Sequence, residues 1–455
     1  MLSIVTQVVK YLVVLLIAIY TLRCFTVFNV KSEQRQRKIY IGQNAIMLLI
    51  HLLLNIVIFM NRPNALTVVF YIAQFAFFQV ALFLYSSLYK NASRLLINNM
   101  FFLLMIGFCM LSRLDTQLAV KQFAIAVVSV LLRLIVPVMI DKLSVLSRLG
   151  IFYGILGLLV VGSVFVFGED VYGARNWISI AGIGFQPSEL AKIIFVFFAA
   201  SMLYKNTSFK RIVITTAAAA GFVLLLVAET DLGAAVIFFI TYLLMLYVAT
   251  RQFLWTGIGL GLGVGAAVVA SRLFSHVQRR IIAWRDPWSN YDDAGYQIAQ
   301  SLFAISTGGW FGMGLFCGMP EMIPVNKSDF IFAVIAEELG GIFAICLLLI
   351  YISCFIMFIN ISLQLTNNFY KLLAVGLSMS YGFQLFLCTG GVIKFIPHTG
   401  VTLPLISYGG SSVLSTIIVF AVIQGLYLLK QREDGLLEQK RQEIRNGTYR
   451  QETKA

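Results

Sequence analysis

About thirteen times along this chain an apolar run of roughly 17 to 30 residues recurs between short polar connectors, and that recurrence dictates the solvent. A helix of about 20 residues crosses a hydrocarbon layer of ~30 Å with its backbone hydrogen bonds satisfied internally. The runs lie near residues 5 to 28, 41 to 61, 65 to 88, 95 to 112, 118 to 141, 149 to 168, 187 to 204, 212 to 228, 231 to 250, 253 to 272, 329 to 360, 371 to 391 and 401 to 429. With 60% of 455 residues hydrophobic, 12% charged and a mean hydropathy of +0.88, a water-soluble fold is excluded. The expectation is an all-α polytopic membrane protein. Met1 to Phe28 is too long for a signal peptide and lacks a small-residue cleavage site, so it reads as a retained helix.

The net charge of +14 does not point to nucleic acid, because the cations sit in connectors beside the spans. Lys31, Arg35, Arg37, Lys38, Lys90, Arg94, Lys142, Arg148, Lys205, Lys210, Arg211, Arg251, Lys371 and the tail from Lys430 all fall on one side of the alternation. The positive-inside rule makes that side cytoplasmic, with the N-terminus outside and the C-terminus inside. Residues 431–455 read as a charge-mixed cytoplasmic tail, and the basic connectors are expected to meet anionic membrane lipids. Facing outward are Gly168 to Gln186, the Glu229 to Asp231 turn, about residues 275–328, and Lys394 to Gly400. The six cysteines are scattered and read as packing residues. Gly257, Gly261 and Gly265 share one helical face, a close-packing signature.

Ionisable residues at membrane depth are functional candidates by default. Glu189 and Lys192 open a span three residues apart, after Pro187, and so share a face. They read either as an anchoring ion pair or as a cationic site for an anionic head group, to which Arg175 would add a second charge. Asp231 is placed to cap the helix that follows it. Asp329 precedes Glu337 and Glu338, two acids inside an apolar run that need either a function or an internal ion pair. The long outer loop holds Trp284, Asp286, Trp288, Asn290, Tyr291, Asp292, Asp293, Tyr296 and Trp310. Its acids can act as a general base, its aromatic faces suit sugar rings, and its aromatic content predicts order rather than disorder. A cluster of turn residues explains the same composition equally well. Gly312 to Gly318 lacks the spacing and preceding strand of a dinucleotide loop.

Five stretches, in order, resemble the SEDS family (shape, elongation, division and sporulation; FtsW, RodA and SpoVE among its members). They are residues 174–180 with 186–192, 230–233, 286–288 with 295–302, 328–340 and 399–412. The resemblance implies a core of about ten helices over residues 91–430, preceded by an added module of about three helices over residues 1–90. It implies a peptidoglycan glycosyltransferase that polymerises lipid II at the outer face of a bacterial cytoplasmic membrane, beside a class B penicillin-binding protein. Substrate-binding roles would fall to Arg175, Gln186, Glu189, Lys192, Asp231, Gln297, Ser301, Asp329, Glu337, Glu338, Ser407 and Tyr408. A divalent cation, Mg or Mn, could share in steadying the leaving pyrophosphate. The acid that the family places five residues before the glycine of Gly295-Tyr-Gln falls here on Asn290, which cannot be a base. Asp292 is the substitute this reading favours, with Asp293 and Asp286 beside it. The competing readings are a catalytically inactive scaffold or activator of a penicillin-binding protein, and a transporter of lipid-linked precursors, which would predict internal repeats.

Overall fold

In the computed structural model, which describes residues 2–142, 144–171, 174–180, 183–205 and 207–445, the apolar runs become helices. These are α1 (Leu2–Asn29), α2 (Glu33–Asn61), α3 (Ala65–Leu88), α4 (Arg94–Leu114), α5 (Thr116–Lys142), α6 (Gly150–Gly162) and α7 (Val164–Phe167). A small sheet follows, β1 (Glu169–Val171), β2 (Ala174–Ile180) and β3 (Ile183–Phe185). The chain continues through α8 (Pro187–Leu203), α9 (Phe209–Ala228), α10 (Leu232–Thr250), α11 (Phe253–Leu273), α12 (Ser275–Arg285) and α13 (Tyr296–Gly308). It closes with α14 (Ile331–Leu339), α15 (Gly341–Gln364), α16 (Asn368–Val392) and α17 (Gly410–Arg445). Among the described residues, twelve helical segments are long and apolar enough to cross a membrane, α6 and α7 counting as one. The 17-residue α8, at the short end of spanning length, accounts for the remaining apolar run, 187 to 204.

The centre of the bundle is α4, buried without interruption from Leu95 to Arg113. A helix apolar on all sides belongs inside, and this one carries the polar groups that bind its neighbours. Asn99 Oδ1 accepts from the Tyr20 hydroxyl at 3.0 Å, its Nδ2 donates to Ser353 Oγ at 2.8 Å, and Asn98 Nδ2 donates to Gln43 Oε1 at 3.2 Å. Hydrogen bonds of this kind are the glue between helices in lipid, where apolar contact alone gives little preference.

Two apolar runs are not continuous helices. The run at 329 to 360 breaks at Gly340, whose φ of +94° and ψ of 166° lie in territory open only to glycine, so Glu337 and Glu338 belong to the nine-residue α14 and not to a span. The run at 401 to 429 starts as buried turns; Pro404 and the left-handed Leu405 delay α17 until Gly410. Non-helical backbone at membrane depth survives only inside protein. Here Gln122 donates to Ser407 O and accepts from Gly409 N, both at 2.9 Å, and the Tyr351 hydroxyl donates to Pro404 O.

The antiparallel meander β1-β2-β3 was not anticipated; it pairs Glu169 with Trp177 and Ile178 with Phe185. The glycine stripe is corrected by two residues in phase. Gly257, Gly261 and Gly265 face open space, whereas β-carbons on Gly259 and Gly263 would come within 2.4 Å of Leu243 and 2.2 Å of Phe239. The close-packing face toward α10 therefore belongs to the intervening glycines, because α11 touches the bundle on that side alone.

Candidate active site

The outward ends of α8 and α10 are tied through Asp231. Its Oδ1 accepts from Ala234 N at 3.1 Å, the expected cap. Its Oδ2 accepts from Gln186 Nε2 at 2.8 Å and from Ser188 Oγ at 3.0 Å. Beside it Glu229 is only 2% exposed, and neither carboxylate oxygen has a hydrogen-bond partner among the described residues. Burial, and then the charge of Asp231, pushes the Glu229 carboxyl up to about 8.

Across from this turn stands Arg280 of α12. Its guanidinium feels both Asp231 and Asp329, but burial outweighs them and draws it below the usual arginine range. Its Nη1 is buried without a partner among the described residues. Gly400 lies between the opposing charges: a β-carbon there would sit 3.6 Å from Asp329 Oδ2 and 3.8 Å from Arg280 Nη2. His398 Nε2 stands 3.7 Å from Asp329 Oδ2, with its ring stacked on Phe330 at 4.4 Å. One end of the bundle thus gathers three acids, a cation and an imidazole from three connectors.

Below them Lys192 is 6% exposed and donates to Glu189 Oε2 at 3.0 Å and Gln384 Oε1 at 2.6 Å. Ser415 Oγ donates to the same Glu189 oxygen at 2.7 Å, and Gln384 Nε2 reaches Ser412 Oγ at 3.3 Å. Of the two readings offered for the Glu189 and Lys192 pair, this geometry realises the anchoring one. The ammonium is already neutralised and enclosed.

The outer loop is ordered. Asp286 Oδ1 accepts from Trp288 N and Ser289 N, both at 3.1 Å, and bonds of this kind, with Ser289 foremost, hold its carboxyl below the usual range. Asn290 Nδ2 donates to Asp286 O at 2.9 Å, and Asn290 O accepts from Gly295 N at 2.9 Å. Asn290 therefore builds the turn, while Asp292 and Asp293 project into solvent from it. Gln297 is exposed, and Ser301 Oγ is spent on Val392 O at 2.8 Å. Trp284 Nε1 anchors the end of α12 to Lys394 O at 3.2 Å.

Several predicted site residues turn out to brace the structure. Ser407 Oγ donates to Ser328 O and accepts from Leu403 N, and Tyr408 N donates to Lys327 O, so both staple one connector to another. Glu338 Oε1 accepts from Arg113 Nε at 2.9 Å and Phe316 N at 3.1 Å, and Glu337 Oε1 accepts from Met319 N at 2.9 Å. The expected internal ion pair exists, and its partner is Arg113. Arg175 falls on β2, with its side chain outside the described residues.

Arg280 and His398 were missed. The available signal was the dense group Arg272, Arg279, Arg280 and Arg285 on the outward side, against the prevailing bias of cations toward the other side. Among the described residues no three His, Cys, Asp or Glu side chains gather to hold a metal ion.

The chain is 35% identical over 297 residues to peptidoglycan glycosyltransferase RodA of Mycobacterium tuberculosis (strain H37Rv), a match covering 61% of this chain and 63% of that relative. It thus spans under two thirds of the length of that relative. It is 31% identical over 315 residues to the probable peptidoglycan glycosyltransferase FtsW of Francisella salina, covering 67% and 78%. Among solved structures it resembles a chain of a peptidoglycan synthase complex that coordinates polymerization and crosslinking, with a TM-score of 0.63 and 25% identity over 74% of this chain and 97% of that one. The rod shape determining protein RodA of Thermus thermophilus shares the fold, with a TM-score of 0.55 and 24% identity over 74% and 96%. The family profile described as cell cycle protein matches residues 93–431, so the chain belongs to the FtsW/RodA/SpoVE family.

Proposed function

We propose that this multi-pass membrane protein polymerises lipid II as a peptidoglycan glycosyltransferase. The observation that carries the reading is the position of Arg280, a half-buried cation whose Nη1 has no partner among the described residues, beside Asp231, Asp329 and His398 and joined through α12 to a loop that presents acids. An acceptor sugar's 4-hydroxyl oxygen would bond to the anomeric carbon of the lipid-linked donor as the bond from that carbon to the pyrophosphate oxygen breaks. The hydroxyl proton would pass to a carboxylate, with Asp292 the first candidate and Asp293 the second. Arg280 would steady the pyrophosphate as its charge develops, a role the family resemblance also gives Arg175. Lys192 is not needed for that task, being neutralised by Glu189. A divalent cation, where bound, would supply further charge stabilisation for the leaving pyrophosphate.

The distribution of basic connectors supports a bacterial cytoplasmic membrane location with the site and the N-terminus outside and the C-terminus inside. Residues 1–90 form the added module and 91–430 the core. The resemblance to a peptidoglycan synthase complex supports a class B penicillin-binding protein as partner. A second reading, an inactive scaffold for that partner, is favoured by one observation: Asn290 is committed to holding its turn.

The test is polymerisation of lipid II by the purified full chain in liposomes, with and without its partner. Asp292→Ala and Arg280→Gln should each lower the rate by on the order of 100-fold or more, and Asn290→Ala should retain product. A silent wild type that becomes active as Asn290→Asp would sink the enzymatic reading and leave the scaffold.

A further inference from the structure

At the end of the bundle opposite the candidate active site, where α8 ends and α9 begins, a cavity of about 610 Å³ opens between α6, α8 and α9. Four cations line it, Arg148, Lys205, Lys210 and Arg211, and no Asp or Glu stands among its described lining residues. Arg211 Nε is buried without a hydrogen-bond partner among the described residues. The first turn of α6 also opens on the cavity through Gly150, and its N-cap is Leu149, whose side chain cannot accept from the leading amides. Four cations with no acid among the described lining residues describe a host for a multiply charged oxyanion. The cavity is not wholly polar. Ile151 and Ile214, 72% and 51% exposed, carry its wall onto the surface that faces hydrocarbon, and Met202 adds an apolar contact. A soluble anion would have no use for that wall.

We propose that this cavity binds the phosphate head group of an anionic phospholipid, whose acyl chains run along the exposed faces of α6 and α9. Basic pockets between transmembrane helices recognise head groups of this class, each nearby cation contributing roughly a fivefold gain in affinity. The inference stands apart from the catalytic reading, since it invokes no residue of the candidate active site.

The test uses the full-length protein in mild detergent, titrated with phosphatidylglycerol or phosphatidylcholine and analysed by native mass spectrometry for retained lipid. The wild type should retain phosphatidylglycerol about tenfold better than phosphatidylcholine. The double variant Arg148→Gln with Arg211→Gln should lose that preference, retaining the two lipids about equally. Arg35→Gln with Arg37→Gln, which removes two charges of the same connector class outside the cavity, should keep it. Equal loss in both variants, or none in either, would mean a general surface effect and overturn the site. Should the cavity variant fail to fold, the wild type decides alone, because absence of a phosphatidylglycerol preference overturns the proposal. A further arm adds inorganic phosphate. Binding of phosphate alone as tight as that of the lipid would assign the site to a soluble anion and remove the lipid from it.

Discussion

A carboxylate held without hydrogen bonds at a membrane surface costs free energy when charged, and Glu229 is such a group. Its ordinary pKa of 4.5 rises to about 8 in the folded chain, first through burial and then through Asp231. Between these two values folding takes up a proton, so the contribution of Glu229 to stability is fully present below about pH 4.5 and lost as pH rises through about 8. Thermal unfolding in detergent from pH 5 to 9 should show that decline in the wild type and a flatter profile in Glu229→Gln. Glu338 differs in having a buried cation, Arg113, 2.9 Å away, although burial still pushes its carboxyl up to about 7. Arg113→Ala should cost about 3–5 kcal/mol by stranding the acid, and replacing both by Met should recover most of it. A double variant as unstable as the single would show that the pair's charge, not its burial, matters.

At the level of elements, the outer loop is shaped by where helices are made to stop. Gly340 separates α14 from α15 and lets strand-like bonds form, Met313 N to Glu337 O and Gly341 N to Gly309 O, that pin the loop to the bundle. A β-carbon at Gly340 would lie 2.4 Å from Gly312 N in a backbone conformation closed to other residues. Gly340→Ala should therefore destabilise by on the order of 3 kcal/mol and expose residues 309–330 to protease, measured as cleavage rate in the intact protein. The sequence showed the glycine but not its φ. The apolar run on either side satisfied a spanning helix equally well, and only the loop packed across it rules that helix out. The same holds at 401 to 409, where apolar character concealed a buried turn.

On the scale of the whole molecule, the first two helices dock through hydrogen bonds as well as apolar contact. Tyr20 and Cys24 of α1 meet Asn99 of α4, Gln43 of α2 meets Asn98, and near the outer loop Lys10 Nζ donates to Gly312 O at 3.1 Å. Each such bond within the membrane contributes about 0.6 kcal/mol, so several together hold without covalent help. Residues 1–91 and 92–455 expressed as separate chains should copurify, and Asn99→Leu should reduce recovery a few-fold. Independent migration of the two pieces would show that the linker, rather than the interface, keeps the module in place.

Hydropathy and charge by themselves determined that the chain crosses a membrane repeatedly, roughly where each span lies and which residues open α8 and α10, because the bilayer imposes length and satisfaction of backbone groups locally. They also showed that Glu189 and Lys192 share a face and that Asp231 caps a helix, since those relations reach only three residues. Which acids are paired and which are free was decided by the tertiary structure. Glu338 finds Arg113 across 225 positions of sequence, Arg280 meets Asp329 and His398 only where three connectors converge, and Gly259 rather than Gly257 packs because of where α10 stands. A charge's energy depends on what surrounds it in space, and no local pattern carries that information.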